Sequence, residues 1–187
     1  MKKRSILILA LIGTSVVGSV SGGEEQGFAQ WMMTFSRTKE VKAVDHELYA
    51  EECGACHYAF PPGLLPIQSW KKLLDAQELE DHFGENAELD EDDLKNIQEY
   101  VYANSSEKSY HKRARKITRS IPEGEAPIRI TEVKYIKRKH HELTDEMVKG
   151  NKDVNSLSNC NACHTQAEEG VFDDDTVDIP NFGKWDD

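Results

Sequence analysis

All four cysteines of this 187-residue chain lie in two copies of one pattern, Cys53-Gly54-Ala55-Cys56-His57 and Cys160-Asn161-Ala162-Cys163-His164. C-x-x-C-H is the spacing that attaches a c-type haem. Two thiols three positions apart sit on adjacent edges of a helical turn, where they can add to the two vinyl groups of one porphyrin. The histidine that follows then projects beneath the iron as proximal ligand. Cys53, Cys56, Cys160 and Cys163 are therefore the candidate attachment points, and His57 and His164 the candidate proximal ligands. Other uses of paired cysteines fit less well. A redox dithiol wants a βαβ context, which is not visible. One zinc shared by both pairs would have to bridge 103 intervening residues, far more than in a zinc ribbon. A disulfide across two residues is sterically poor. None of these needs a histidine after each pair.

Each iron has a second axial position. Methionine there raises the potential, histidine lowers it, and an open position admits small ligands. After residue 22 the only methionines are Met32, Met33 and Met147, whereas His46, His82, His111, His140 and His141 all stand outside the motifs. Supply alone favours histidine on both irons. His46 lies seven residues before Cys53, on the proximal side, and reads as a surface or structural residue. His82 follows His57 by 25 residues, enough for a loop and a helix to cross to the distal face. His140 shares a helical phase with Val133, Ile136 and Leu143, while His141 falls with Lys134, Lys137 and Arg138. An apolar face is where a haem would lie, so phase selects His140. His111, among Lys108, Lys112, Arg113 and Arg115, remains its main competitor because it could reach either haem.

The elements that position these residues read as helical. Leu94, Ile97 and Val101 recur at helical spacing within 89–104, with Asp90 as a cap and acids in the first turn. A second helix is expected over 69–83, with Ser69 as its cap, Trp70, Leu73, Leu74 and Leu79 as its stripe and Gly84 at its C-terminal end. A third is expected over 131–143. Phe60-Pro61-Pro62-Gly63 breaks the chain into an extended loop, and no sustained period-2 alternation appears. The expected fold is mainly α with little sheet, in two small haem-binding lobes.

The chain carries 34 acids against 23 Lys and Arg, a net charge of −11, which argues against nucleic acid as a partner. Only 38% of residues are hydrophobic, so a folded chain of this kind is held partly by something other than protein. Residues 1–22 read as a cleaved signal peptide: Lys2, Lys3 and Arg4, then a short apolar run, then Val20-Ser21-Gly22. The run is shorter than a membrane span, and the expected location is the periplasm. Charge is segregated, with net −13 over 23–107, +6 over 108–164 and −7 over 165–187. The shift near Asn104-Ser105-Ser106, read as a linker or helix end, divides a first haem domain, 23–104, from a second, 105–187. The basic stretch 108–119 reads as a solvated surface.

The run from Glu51 through the first motif to Pro66, then Ser69-Trp70, resembles the bacterial dihaem cytochrome c family often called DHC. So do Asp81 to Asp90, Arg129-Ile130-Thr131, His140, Cys160 to His164 and Ile179-Pro180. The resemblance spans about residues 45–180. It implies a periplasmic electron carrier, not an enzyme, with two low-potential bis-histidine haems, and it points to His82 as one distal ligand. The first lobe is expected to resemble a class I cytochrome c, although there the distal ligand is usually a methionine further downstream. The partners implied are a small monohaem c-type cytochrome and a membrane cytochrome b. The His140-His141 pair leaves the second ligand open by one residue. The alternative is a dihaem peroxidase or ligand-binding cytochrome with one open iron, for which the chain is short.

Overall fold

A computed structural model describes residues 41–186. The expected signal peptide, residues 1–22, and the start of the first expected domain lie outside the described residues. Seven short α-helices and one pair of two-residue strands make up the described chain, which is mainly helical as expected.

Helix α1, Glu47–Gly54, starts at His46, whose Nδ1 accepts from the Tyr49 amide at 3.2 Å. His46 also stacks on Tyr100, so it is the structural residue the sequence suggested. The Pro-Pro-Gly segment after the first motif is not a solvated loop. Pro61, Pro62, Gly63, Leu64 and Leu65 are buried, with a 3-10 turn over Pro62–Leu64. Proline cannot supply an amide to a helix or strand, and here the Pro62 carbonyl accepts instead from Trp70 Nε1 at 2.8 Å.

The helix expected over 69–83 is two helices, α2, Ile67–Leu73, and α3, Ala76–Glu80. Pro66, not Ser69, precedes the first of them, and Ser69 is buried within it. Asp75 breaks the run because its carboxylate caps α3 by accepting from the Gln77 amide. The freed Leu74 carbonyl is taken by Gln98 Nε2 at 2.7 Å. Helix α4, Glu91–Ala103, starts after Asp90 with Glu91, Asp92 and Asp93 in its first turn, where the helix dipole favours them. Asp90 itself makes no side-chain cap. Helix α4 packs on α1 and α2 through Ile97 and Val101.

Asn104-Ser105-Ser106 ends α4, and both serines are fully buried. The Ser106 amide donates to the Leu65 carbonyl at 2.9 Å and its hydroxyl accepts from Thr118 at 2.7 Å. Helix α5, Lys112–Ser120, exposes Lys112, Arg115, Lys116 and Arg119 but buries Ala114 and Ile117 in the same core as Tyr49, Leu65, Ile97 and Val101. A 3-10 turn, Ile130–Glu132, leads into α6, Lys134–Lys139, which is much shorter than the helix expected over 131–143. Helix α7, Cys160–Cys163, is a single turn. Strands β1, Asp178–Ile179, and β2, Gly183–Lys184, pair antiparallel with Ile179 opposite Gly183.

Long-range bonds tie the early chain to the late chain. The Val41 amide donates to the Gly170 carbonyl at 3.2 Å. Gly170 has φ +75, and a Cβ there would lie 2.5 Å from the Val41 carbonyl oxygen, so only glycine permits this approach. The buried Tyr58 hydroxyl donates to the Ala167 carbonyl at 2.6 Å. Ala167 O also accepts from the Gly170 amide, so Tyr58→Phe does not orphan the carbonyl. It should lower stability by about 1 kcal/mol, the net worth of one hydrogen bond, read as a lower urea midpoint at unchanged slope. No loss of stability would mean that the bond contributes nothing to holding the two segments together.

Candidate haem centres

The first motif begins inside α1 and unwinds after Gly54. Cys53 is therefore held by the helix end, while Cys56 is exposed on the turn. Burial pushes the Cys53 thiol up to about 12, with Glu52 adding to it. His57 Nδ1 lies 2.8 Å from the Tyr58 carbonyl. A carbonyl can only accept, so Nδ1 carries the proton and Nε2 keeps a lone pair for a metal. The His57 ring packs beside Phe60 and faces His82, with ring centroids 6.4 Å apart and planes 23° apart.

His82 is carried by a tight turn after α3. Its amide donates to the Glu85 carbonyl at 2.8 Å, the Glu85 amide returns the bond at 3.3 Å, and the Gly84 amide donates to the Asp81 carboxylate. Gly84, at φ +103, serves this turn and is not a helix cap. Burial lowers the His82 pKa, helped by the neighbouring His57 and Arg129. A cleft lined by Lys72, His82, Phe83 and Arg129 opens beside it.

In the second motif, the single turn α7 presents Cys160 and Cys163, and the His164 amide closes the turn on the Cys160 carbonyl at 2.8 Å. Burial drives the Cys160 thiol to about 12 and raises Cys163. His140 ends α6, and its Nδ1 lies 2.8 Å from the Ile136 carbonyl, so it too offers Nε2. The His140 and His164 rings are 6.0 Å apart with planes crossed at 72°. Burial depresses His164 to about 4, with the charges of His140 and Arg113 adding to the effect. Both histidines line a cavity of about 310 Å³ with Cys160, Cys163, Tyr135, Ile136, Leu143 and Phe172 among its walls.

The structure thus brings His57 together with His82, and His140 with His164. His141 points outward, 3.7 Å from Glu142 and with most of its side chain exposed. His111 heads α5 and lines neither cavity. The basic stretch is only partly a solvated surface. Arg113 turns inward to the wall of the second cavity, bonded to Tyr135 Oη and to Asp173 at 3.2 Å. Sequence reasoning did not single out Arg113, Phe172 or Arg129 at the sites, since each arrives there by tertiary contact alone.

These residues fit a haem at each motif. An imidazole–metal bond is about 2 Å, and each ring adds roughly 1 Å to its centre, so two imidazoles sharing one metal stand about 6 Å apart. The donors are imidazoles, two of the four with Nδ1 engaged by a backbone carbonyl, the thiols are unpaired, and the second cavity is walled largely by apolar side chains.

Residues 49–172 match the family model for DHC, dihaem cytochrome c. The chain belongs to the dihaem cytochrome c family. Solved structures agree. The chain is 39% identical to the dihaem cytochrome c of Shewanella baltica OS155, covering 74% of this chain and 96% of that one, with a TM-score of 0.60. It is 41% identical to a dihaem cytochrome c from Rhodobacter sphaeroides, covering 71% of this chain and all of that one, with a TM-score of 0.62. No curated protein matches. As a dihaem cytochrome c, the protein carries two c-type haems, at Cys53/Cys56 and Cys160/Cys163, and its chemistry is haem-based electron transfer. Among the described residues no helix is long and apolar enough to cross a membrane.

Proposed function

We propose that this dihaem cytochrome c is an exported, periplasmic electron carrier whose two irons are each closed by two histidines, His57 with His82 and His164 with His140. The observation that supports this reading is the facing pair of imidazoles at each motif, 6.4 Å and 6.0 Å apart. Bound haem supplies one-electron iron chemistry at a potential set by its ligands and surroundings. His57 with His82, and His164 with His140, would hold the iron at each motif and leave no position for a substrate, so that transfer would be outer-sphere. Nitrogen ligation without methionine places both potentials low. An iron closed by two histidines has no vacant site for peroxide, and on this reading the protein is a carrier and not an enzyme.

Redox partners are electron-transfer proteins: a small monohaem c-type cytochrome and a membrane cytochrome b. The surface offers them two kinds of docking charge. Acids cluster at the start of α4, with Glu91 and Asp92 exposed, and bases along α5, with Lys112, Arg115, Lys116 and Arg119 exposed. Complementary charge steers encounter and weakens with salt.

The test is spectroscopic. The reduced protein should bind no carbon monoxide. The oxidised protein should give two distinct low-spin EPR signals. Nearly parallel rings split the iron dπ orbitals and give a rhombic signal; steeply crossed rings leave them close in energy and give a strongly anisotropic one. Carbon monoxide binding by the wild type, or a methionine-type absorption band, would defeat the reading.

A further inference from the structure

The turn that holds His82 contains an anomaly. Phe83 adopts φ +59, the left-handed region that a bulky residue avoids. It is also 44% exposed. Burial therefore does little to offset the strain, and strain of this kind persists only where surrounding structure over-determines it. The turn's own bonds, His82 with Glu85 and Gly84 with Asp81, hold the backbone there, and the Phe83 ring it projects is met by Arg129, whose guanidinium carbon lies 4.0 Å over the ring centroid, a close cation–π contact. The Phe83 ring in turn lies 4.7 Å from the His82 ring. Arg129 comes from the loop leading into the Ile130–Glu132 turn, far along the chain from the first motif. His140 has no such arrangement. It ends a helix, its Nδ1 is bonded to a backbone carbonyl, and its φ is ordinary.

We infer that Arg129 is a positioning residue for the distal ligand of the first haem: by clamping Phe83 it keeps the His82 ring facing His57. This rests on the bis-histidine reading above. Its consequence is that the two irons are closed differently. The sixth ligand of the second haem is held by its own helix. That of the first sits on a tight turn, its ring backed by Phe83 and, through Phe83, by a side chain from a distant part of the chain, which makes His82 the ligand that can be released.

Arg129 is exposed and outside the core, so replacing it should not impair folding. The experiment compares wild type, Arg129→Ala, Arg129→Lys and Arg115→Ala as holoproteins, by EPR of the oxidised form and carbon monoxide addition to the reduced form. Arg129→Ala should lose the rhombic signal of the nearly parallel pair, gain high-spin iron, and bind carbon monoxide at one haem of the two. Arg129→Lys keeps a cation over the ring and should restore the closed iron. Phe83→Leu removes the π face and should open the same haem. Arg115→Ala, a cation change on the exposed face of α5 away from either histidine pair, should leave both EPR signals and the absence of carbon monoxide binding as in the wild type. If wild type is closed and Arg129→Ala keeps both low-spin signals and binds no carbon monoxide, the clamp does not exist, while the bis-histidine reading stands. If wild type already binds carbon monoxide at the first haem, the bis-histidine reading fails and the clamp fails with it.

Discussion

His140→Ala is expected to open one iron and leave the other as it was. The oxidised protein should show high-spin iron in place of the strongly anisotropic low-spin signal, and the reduced protein should bind carbon monoxide at one haem of two. The reason is positional. His140 is the histidine whose ring faces His164 across the second cavity, 6.0 Å away. No other histidine outside the motif lines that cavity: His141 is exposed beside Glu142, and His111 is not in its wall; Met147 is, so methionine ligation after the change would show as a raised potential in place of an open iron. His141→Ala and His111→Ala should therefore leave both spectra unchanged. Loss of the His140 ring also breaks a bond to the Ile136 carbonyl, so a second variant separates ligation from folding. His140→Met keeps the iron six-coordinate and should raise one potential markedly while the other stays in place. If His111→Ala opens a haem instead, His140 is not the ligand.

Removing the second attachment altogether should have the largest effect on stability. In Cys160→Ala/Cys163→Ala the thioethers cannot form, and a haem-stained denaturing gel should retain half the stain per mole of chain. The space left behind is about 310 Å³ and lined mainly by apolar side chains. At about 24 cal/mol per Å³, a void of that size costs on the order of 7 kcal/mol, less whatever water can fill. Domains are stable by only about 5–15 kcal/mol in total. The variant should therefore lose native packing around residues 130–185, seen as amide exchange far faster there than in α4. A variant that kept wild-type protection with one haem would show that the protein, and not the cofactor, fills that space.

The chemistry was the most legible part of the sequence, and for a local reason. A haem is attached by residues adjacent in the chain, so Cys53 to His57 and Cys160 to His164 announce themselves without any fold. Helix α4 was nearly as clear because its apolar stripe and acidic first turn agree. Legibility failed where a side chain competed with the backbone. Asp75 caps a new helix in mid-pattern, and Gln98, from another helix, satisfies the carbonyl this frees; the Leu periodicity on either side carries no trace of it. Ser105 and Ser106 read as a polar link, yet they are buried because the Tyr102 carbonyl accepts from the Ser105 hydroxyl, while Leu65 and Thr118 pair with Ser106. The apolar phase that singled out His140 holds over a shorter helix than it implied. Val133 precedes α6 and Leu143 lies past its end, while the buried Tyr135 was missing from the expected stripe. The clamp on His82 left no mark in the sequence, because Phe83 and Arg129 meet only in three dimensions.

The bond from Tyr58 to Ala167 joins residues 109 positions apart. One of them follows the first motif's histidine directly, and the other donates its own amide to the His164 carbonyl. Read as a matter of timing, this contact belongs late. Closing a loop of that length costs roughly 4 kcal/mol of chain entropy before the contact returns anything, and contacts of such separation are slow to form. The two attachment segments, residues 53–57 and 160–164, are therefore joined by a contact that local structure alone does not secure, and it has to be supported by the packing at both ends.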